Sequence, residues 1–144
     1  MQQFQYSEDM AKGFVANLED LTDKNTNFRQ VLYTAHHSQL VVMSIPPLGE
    51  IGMEVHPDND QFLRIESGDG KAIIDGNEQT FSAGWCVIVP AGSQHNIINT
   101  SDLENLKIYT VYSPAHHRLD VVHVTKADAD ADHEEFDGKT SELV

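Results

Sequence analysis

From Phe28 onward, apolar residues fall into short runs that are separated by clusters of glycine, proline, asparagine and aspartate. These residue types end a run wherever the backbone must reverse or adopt a positive φ. The pattern predicts nine strands, at 28–35, 39–45, 51–56, 61–66, 70–75, 79–82, 85–89, 95–99 and 106–113. Strands this short and numerous, with no helical pattern between them, are typical of a β-sandwich or barrel.

The two ends of the chain carry helical patterns instead. Residues 15–25 are predicted to form a short helix or turn, and Thr125 is suited to cap a terminal helix that runs through about His133. The predicted organisation is an N-terminal segment at 1–27, a β-barrel at 28–124 and an acidic helix or tail at 125–144. A chain of 144 residues has the size of one domain with a real core.

Composition excludes several classes of function. The net charge of −14 argues against nucleic acid and anionic membranes as partners, because phosphate binding requires a basic patch. No apolar run is long enough to cross a bilayer, and the first ten residues lack the pattern of a secretory signal. The single cysteine, Cys86, excludes a disulfide within the chain, so we expect a cytoplasmic protein with Cys86 in its core. The six acids within 128–137 are interpreted as a solvated surface.

Two stretches carry the candidate chemistry. The first, at 48–68, has the pattern Glu54-x-His56, four residues, Gln61, six residues, Gly68. The second, at 84–99, has the pattern Gly84, five residues, Pro90-x-Gly92, two residues, His95, three residues, Asn99. These side chains come from distant parts of the chain, so they converge only if the strands close into a barrel.

Strand periodicity orients the first stretch. Alternate residues of a strand share a face, so Glu54 and His56 point the same way. Ile51, Met53 and Val55 are therefore expected to point the other way, into the layer between the sheets.

The two stretches resemble the two signature motifs of the cupin superfamily. The resemblance implies an all-β fold, a double-stranded β-helix (jelly-roll) barrel of two facing antiparallel sheets, with one metal ion inside. The second motif matches at every defined position. In the first, Glu54 stands where cupins have a histidine and Gln61 where they have a glutamate. The resemblance thus implies four metal ligands, Glu54, His56, Gln61 and His95.

Such a ligand set selects a class of metal. Two imidazoles, one carboxylate and one amide oxygen suit one divalent transition metal, Zn²⁺, Fe²⁺, Mn²⁺ or Ni²⁺, rather than Cu⁺ or Ca²⁺. The alternative is a barrel that kept its fold and lost its metal, because a neutral amide is a weak ligand.

Other polar and aromatic residues are secondary candidates. In similar cupins a histidine near the end of the last long strand closes over the barrel mouth. One of His116 and His117 is therefore a candidate for contact with substrate, although surface loop positions are the default expectation. The aromatic side chains are expected in the core, namely those of Phe62, Trp85, Tyr109 and Tyr112.

Three functions follow from the resemblance, which is strongest to small single-domain, phosphomannose-isomerase-like cupins. The first is a metal-dependent enzyme, similar to mannose-6-phosphate isomerases, that isomerises or epimerises a small sugar-like or carbonyl substrate. The second is a metal-dependent dioxygenase, and the third is a non-catalytic protein that binds a small molecule. Because related barrels cover open strand edges with a second copy, we also expect a homodimer with residues 28–45 at its interface.

Overall fold

The computed structural model describes residues 12–142. Within that range one short helix, α1 (Leu18–Lys24), precedes the strands and a second, α2 (Lys126–Ala131), follows them. The strands are β1 (Arg29–Thr34), β2 (Gln39–Ile45), β3 (Glu54–Val55), β4 (Asp60–Ser67), β5 (Asp69–Ile74), β6 (Asn77–Ser82), β7 (Cys86–Val89), β8 (Gln94–Asn99), β9 (Leu106–Ser113) and β10 (Val122–His123).

The strands form two antiparallel sheets. One sheet has six strands in the order β10-β1-β2-β9-β4-β7, and the other has four in the order β3-β8-β5-β6. A single core of apolar side chains joins them, with Leu63 and Ile65 from the first sheet and Phe81 and Ile97 from the second. The predicted jelly-roll fold is confirmed.

Local sequence signals located most elements. Eight of the nine predicted strands occur with ends displaced by at most two residues. Both predicted helices form, and α2 begins with a capping box in which Thr125 and Asp128 each accept a hydrogen bond from the other's backbone. The remaining predicted strand, 51–56, is reduced to the two residues of β3. The reason is that Gly52 has a φ of +104° and donates its N–H to the side chain of Asn96.

The face of the first motif is the reverse of the one expected. Met53 and Val55 are half exposed, at 51% and 50%, whereas His56 is buried inside the barrel. Ile51 only flanks the core. The expectation for Met53 and Val55 was wrong because period two identifies which residues share a face but not which face lies inside.

Strand β7 departs from expectation in the same way. Val87 and Val89 point inward, so Cys86 and Trp85 are exposed rather than in the core. Phe62 and Tyr109 are half-buried on the outer face of the six-stranded sheet, where their rings lie 6.4 Å apart. Of the four aromatic residues expected in the core, Tyr112 is fully buried.

The strand edge expected at 28–45 is partly covered within the chain, because β10 pairs with Arg29 and Gln30 of β1. β1 pairs with β2 on one side and with β10 on the other, and β2 lies between β1 and β9. The short strand β10 was not predicted, since two residues carry no periodic signal. The homodimer stays a prediction, and its test is a molecular mass by light scattering.

None of the helices in residues 12–142 is both long and apolar enough to cross a membrane. Part of the predicted N-terminal segment, residues 1–11, lies outside the described residues. The part that is described packs on the barrel, where α1 contacts β2, β4 and β9.

Candidate metal centre

Strand pairing brings three of the four predicted ligands together. In the β3–β8 ladder, Glu54 lies directly opposite His95. His56 follows β3 and its ring centroid is 5.0 Å from that of His95. Gly92, at a φ of +86°, fixes this arrangement by donating its N–H to the His56 carbonyl at 2.9 Å. The Pro-x-Gly turn of the second motif thus positions a histidine of the first.

The fourth predicted ligand, Gln61, comes from the opposite sheet. It is buried on β4 and is the cross-strand neighbour of Tyr112, whose ring meets that of His56 at 5.6 Å. Its amide nitrogen donates to the Thr110 hydroxyl at 3.1 Å. Its amide oxygen is buried and has no hydrogen-bond partner.

The histidines also keep donor atoms free for a ligand. The Nδ1 of His95 lies 3.0 Å from the Ser93 carbonyl, which only accepts, so Nδ1 carries the proton and Nε2 keeps its lone pair. The Nε2 of His56 lies 3.0 Å from a carboxylate oxygen of Glu54, but the approach does not satisfy hydrogen-bond geometry. Buried polar atoms without partners are costly, and a cation would satisfy them, so the residues fit a divalent metal.

The candidate centre is not a dense cluster of the usual ligand types. Among residues 12–142, no three histidine, cysteine, aspartate or glutamate side chains are arranged to hold a metal ion together. The amide oxygen of Gln61 is therefore an essential part of the set, and the case for a metal rests on the unpaired donor atoms.

Glu54 is suited to bind a cation. Burial raises the pKa of its carboxyl group, but the proximity of His56 and the charges of Arg29 and His95 hold the net pKa below its ordinary value. The side chain is therefore ionised at neutral pH.

His116 and His117 both belong to this region, so the default expectation of surface positions was wrong. The His116 ring lies 4.2 Å from that of His56 and 5.3 Å from that of Tyr112. Burial, followed by the neighbouring His117 and His56, lowers the pKa of His116 to about 4. The His116 imidazole is therefore neutral at pH 7.

Two buried amides hold this histidine pair in place. The Gln39 side-chain oxygen accepts from the backbone N–H groups of His116 and His117, at 3.1 and 2.9 Å. Its nitrogen donates to the His117 carbonyl at 2.6 Å. Asn59 donates to the carbonyls of Pro114 and Ala115, at 2.6 and 3.1 Å. The loop that carries the histidines is thus fixed by β2 and by the turn before β4.

His117 is fully hydrogen-bonded. Its Nδ1 donates to Glu134, and its Nε2 accepts from the Tyr112 hydroxyl at 3.4 Å. The Glu134 side chain is 3% exposed and also accepts from the backbone N–H of Arg118. The interpretation of 128–137 as a solvated surface was wrong for Glu134, because the chain after α2 returns to the barrel.

The ionisation of this pair is set by burial and by its hydrogen bonds. Burial lowers the pKa of His117, and the bond to Glu134 only partly opposes this effect. Burial raises the pKa of Glu134, but its bond and charge contact with His117 bring the net value below the ordinary one. Burial likewise raises the pKa of the Tyr112 phenol well above its usual range.

A cavity of about 360 Å³ opens beside Glu54, one of the four candidate ligands. Its walls include Glu54, His116 and His117 from the barrel end and Glu134 from the C-terminal segment. Arg29, at the start of β1, also lines it. Sequence reasoning missed Arg29, Glu134 and the contacts of Tyr112 with the histidines. Only Tyr112 had a local signal, since it alternates with the inward-facing Thr110 and Ile108 of β9.

Comparison with known proteins places the barrel in a family. The chain is 46% identical over 107 residues to protein L612 of Acanthamoeba polyphaga mimivirus, which covers 72% of this chain and 67% of that protein. It is 41% identical over 125 residues to YrkC of Bacillus subtilis, and this match covers 82% of this chain and 66% of YrkC. The chain thus spans about two thirds of the length of these curated relatives.

A solved structure agrees over nearly its whole length. The crystal structure of a Bacillus halodurans protein superposes with a TM-score of 0.82 at 38% identity, and the match covers 84% of this chain and 96% of that one. Residues 41–112, which include both motifs, match the cupin domain model. This chain is therefore a member of the cupin family.

Proposed function

We propose that this cupin binds one divalent transition metal through His56, Gln61, His95 and Glu54, and that it is a metal-dependent enzyme on a small polar molecule. The observation that carries the proposal is a pair of buried ligand atoms without a hydrogen-bond partner, the amide oxygen of Gln61 and the Nε2 of His56, of which the second lies 3.0 Å from the Glu54 carboxylate. Beside them, the hydrogen bond from His95 to Ser93 leaves the His95 Nε2 lone pair available.

The residues around the centre support an isomerase- or epimerase-like reaction. When bound, Zn²⁺, Fe²⁺, Mn²⁺ or Ni²⁺ would supply Lewis-acid polarisation of a carbonyl or hydroxyl oxygen. We assign His116 to proton transfer, because it lines the cavity and its ring lies 4.2 Å from that of His56. The hydrogen bond from the His116 backbone N–H to the Gln39 side chain fixes the His116 backbone and so limits the positions that its ring can adopt.

A dioxygenase is the second candidate. Two imidazoles and one carboxylate are the ligand types of the non-haem iron facial triad, and His56, His95 and Glu54 are of these types, although they would hold an ion only together with the Gln61 amide oxygen. The two enzymes differ in a simple observable, since a dioxygenase consumes O₂ when substrate is added and an isomerase does not. A non-catalytic binding protein would do neither.

The first experiment is elemental analysis of protein purified without added metal and without a polyhistidine tag. We expect close to one equivalent of a single transition metal per chain. An oxygen electrode and a screen of carbonyl and sugar substrates would then separate the two enzymes. Protein that contains no metal, and binds none of the four ions when they are supplied, would refute the proposal.

A further inference from the structure

Arg29 is a buried cation without an anionic partner. It is 7% exposed, and it forms no ion pair with any carboxylate in the part of the chain from residue 12 to residue 142. Its Nε is buried and has no hydrogen-bond partner. Its guanidinium lies over the Phe28 ring, 5.3 Å from the centroid. A buried charge of this kind is costly unless a counter-ion joins it.

His123 holds this guanidinium in position. The Nε2 of His123 donates to Asp132 at 3.0 Å, so its Nδ1 is free to accept from Nη1 of Arg29 at 3.3 Å. Asp132 therefore orients Arg29 through His123 instead of pairing with it. The arrangement fixes a guanidinium whose charge remains unpaired, which is the preorganisation expected of a binding group.

The other acids around the cavity are already engaged. Asp130 pairs with Lys126, Asp132 with His123 and Glu134 with His117, and Glu54 belongs to the proposed metal centre. Lys126, the second cation that lines the cavity, is paired with Asp130 at 2.8 Å. Arg29 alone is therefore left to be matched by a ligand, and it can balance one negative charge.

The position of Arg29 links it to the proposed metal centre. It lines the same cavity of about 360 Å³ as Glu54 and His116. Its charge also contributes to the lowered pKa of Glu54. A ligand in this cavity would meet the Arg29 guanidinium together with His116 and Glu54, the one candidate metal ligand that lines the cavity.

We propose that the cavity takes a small organic carboxylate and that Arg29 binds its carboxylate group. This inference rests on the proposed function, because it names the substrate class of that site. A guanidinium matches a carboxylate in shape and in charge. A phosphate dianion would need a second free cation, whereas the cavity wall carries four acids and one paired lysine.

The test is isothermal titration calorimetry on the purified full-length protein with its metal. The probes are pyruvate, malonate and succinate, with malonamide as the uncharged analogue and inorganic phosphate as the competing anion. We expect at least one carboxylate to bind about tenfold or more tightly than malonamide. Arg29→Gln should weaken that carboxylate by about tenfold or more and leave metal content unchanged.

Arg64→Gln is the matched control. Arg64 is also a barrel-strand arginine whose Nε has no hydrogen-bond partner, but its side chain is 39% exposed and forms an ion pair with Glu66 at 3.8 Å. Its substitution removes the same charge, so carboxylate affinity should stay within about twofold of the unsubstituted protein. If circular dichroism shows that Arg29→Gln does not fold, Arg29→Lys keeps the charge and should still weaken binding because it loses the planar fork.

The outcomes separate the two proposals. The inference is refuted if malonamide or phosphate binds as tightly as every carboxylate, or if Arg64→Gln weakens binding as much as the Arg29 variant does. Metal without selective carboxylate binding would overturn the inference and leave the metal proposal intact. Arg29-dependent carboxylate binding by a protein that never holds metal would overturn the proposed function and leave the inference standing.

Discussion

Two buried polar clusters lie side by side in this barrel, and they differ in whether their hydrogen bonds are made. The first, here called the metal cluster, consists of His56, Gln61 and His95. The second, the tail cluster, consists of Tyr112, His117 and Glu134. Both are buried, yet the metal cluster leaves ligand atoms unpaired, whereas both ring nitrogens of His117 in the tail cluster have partners.

The difference teaches which buried polar groups mark a binding site. A satisfied hydrogen bond contributes about 1 kcal/mol to stability, whereas a buried polar atom without a partner costs about 1–3 kcal/mol. The tail cluster therefore stabilises the fold and holds the C-terminal segment on the barrel. The metal cluster lowers the stability of the ligand-free protein, which is typical of groups retained for function.

The largest expected effect is the loss of metal when a histidine of the metal cluster is replaced, and its absence would contradict the contrast between the two clusters. His56→Ala and His95→Ala should each lower metal affinity by about 100-fold or more, because each removes an imidazole ligand. His117→Ala, the matched buried histidine of the tail cluster, should retain the metal. Metal content by mass spectrometry of the folded variants is the measurement. Unchanged metal in both ligand variants would mean that the site lies elsewhere.

The tail cluster should show the converse effect. Glu134→Ala leaves the Nδ1–H of His117 and the backbone N–H of Arg118 without an acceptor, and should lower the free energy of unfolding by about 2 kcal/mol. Glu135→Ala is the control, since this neighbour is an exposed glutamate. Urea unfolding of metal-free protein measures both. Equal stabilities for the two variants would contradict the assigned role of Glu134.

The pH dependence of stability sharpens the same contrast. Burial lowers the pKa of His117 below its ordinary 6.5, so as pH falls below 6.5 the unfolded chain takes up a proton that the folded chain resists. Stability is therefore present above pH 6.5 and is lost on acidification, at most by about 1.4 kcal/mol per pH unit for one such group. His116 acts in the same direction. Glu134, whose net pKa is also lowered, loses its contribution only below its ordinary 4.5.

A substitution isolates the contribution of His117 to the pH dependence of stability. In chelator-treated protein, the free energy of unfolding between pH 7.5 and 5.5 should change less in His117→Gln than in the unsubstituted chain. An identical slope in both would show that His117 does not contribute.

The smallest expected effect concerns the amide in the metal cluster. Gln61→Glu should raise metal affinity by about tenfold, because it places an anionic oxygen where the structure has a neutral one. The Thr110 hydroxyl, which now accepts from the amide nitrogen, can instead donate to the new carboxylate. Competition with a chelator of known affinity provides the measurement. A variant that binds no tighter would assign Gln61 to substrate rather than to metal.

Sequence alone determined the barrel and its candidate ligands for local reasons. Turn residues and period-two runs act over a few positions, so the strands and the helix cap at Thr125 were predicted closely. The candidate ligands came from the resemblance of the two motifs to those of cupins, and the structure places Glu54, His56 and His95 close together.

Only the tertiary structure decided which face of each strand is inside. Alternation states that Met53 and Val55 share one face, and that Cys86 and Ile88 share another, but both pairs are exposed. The choice depends on which neighbours fill the core, such as Val87 and Val89 in β7.

The residues that line the cavity could not be predicted from the sequence for a different reason. Glu134 is 17 residues from His117, and Arg29 is 94 residues from His123, with no motif to link either pair. Their contacts exist because the chain after β9 folds back to add β10 and α2 beside β1. Hydrogen bonds and charges act over a few ångströms of space, so closure of the chain decides which of these groups are paired and which are left for a ligand.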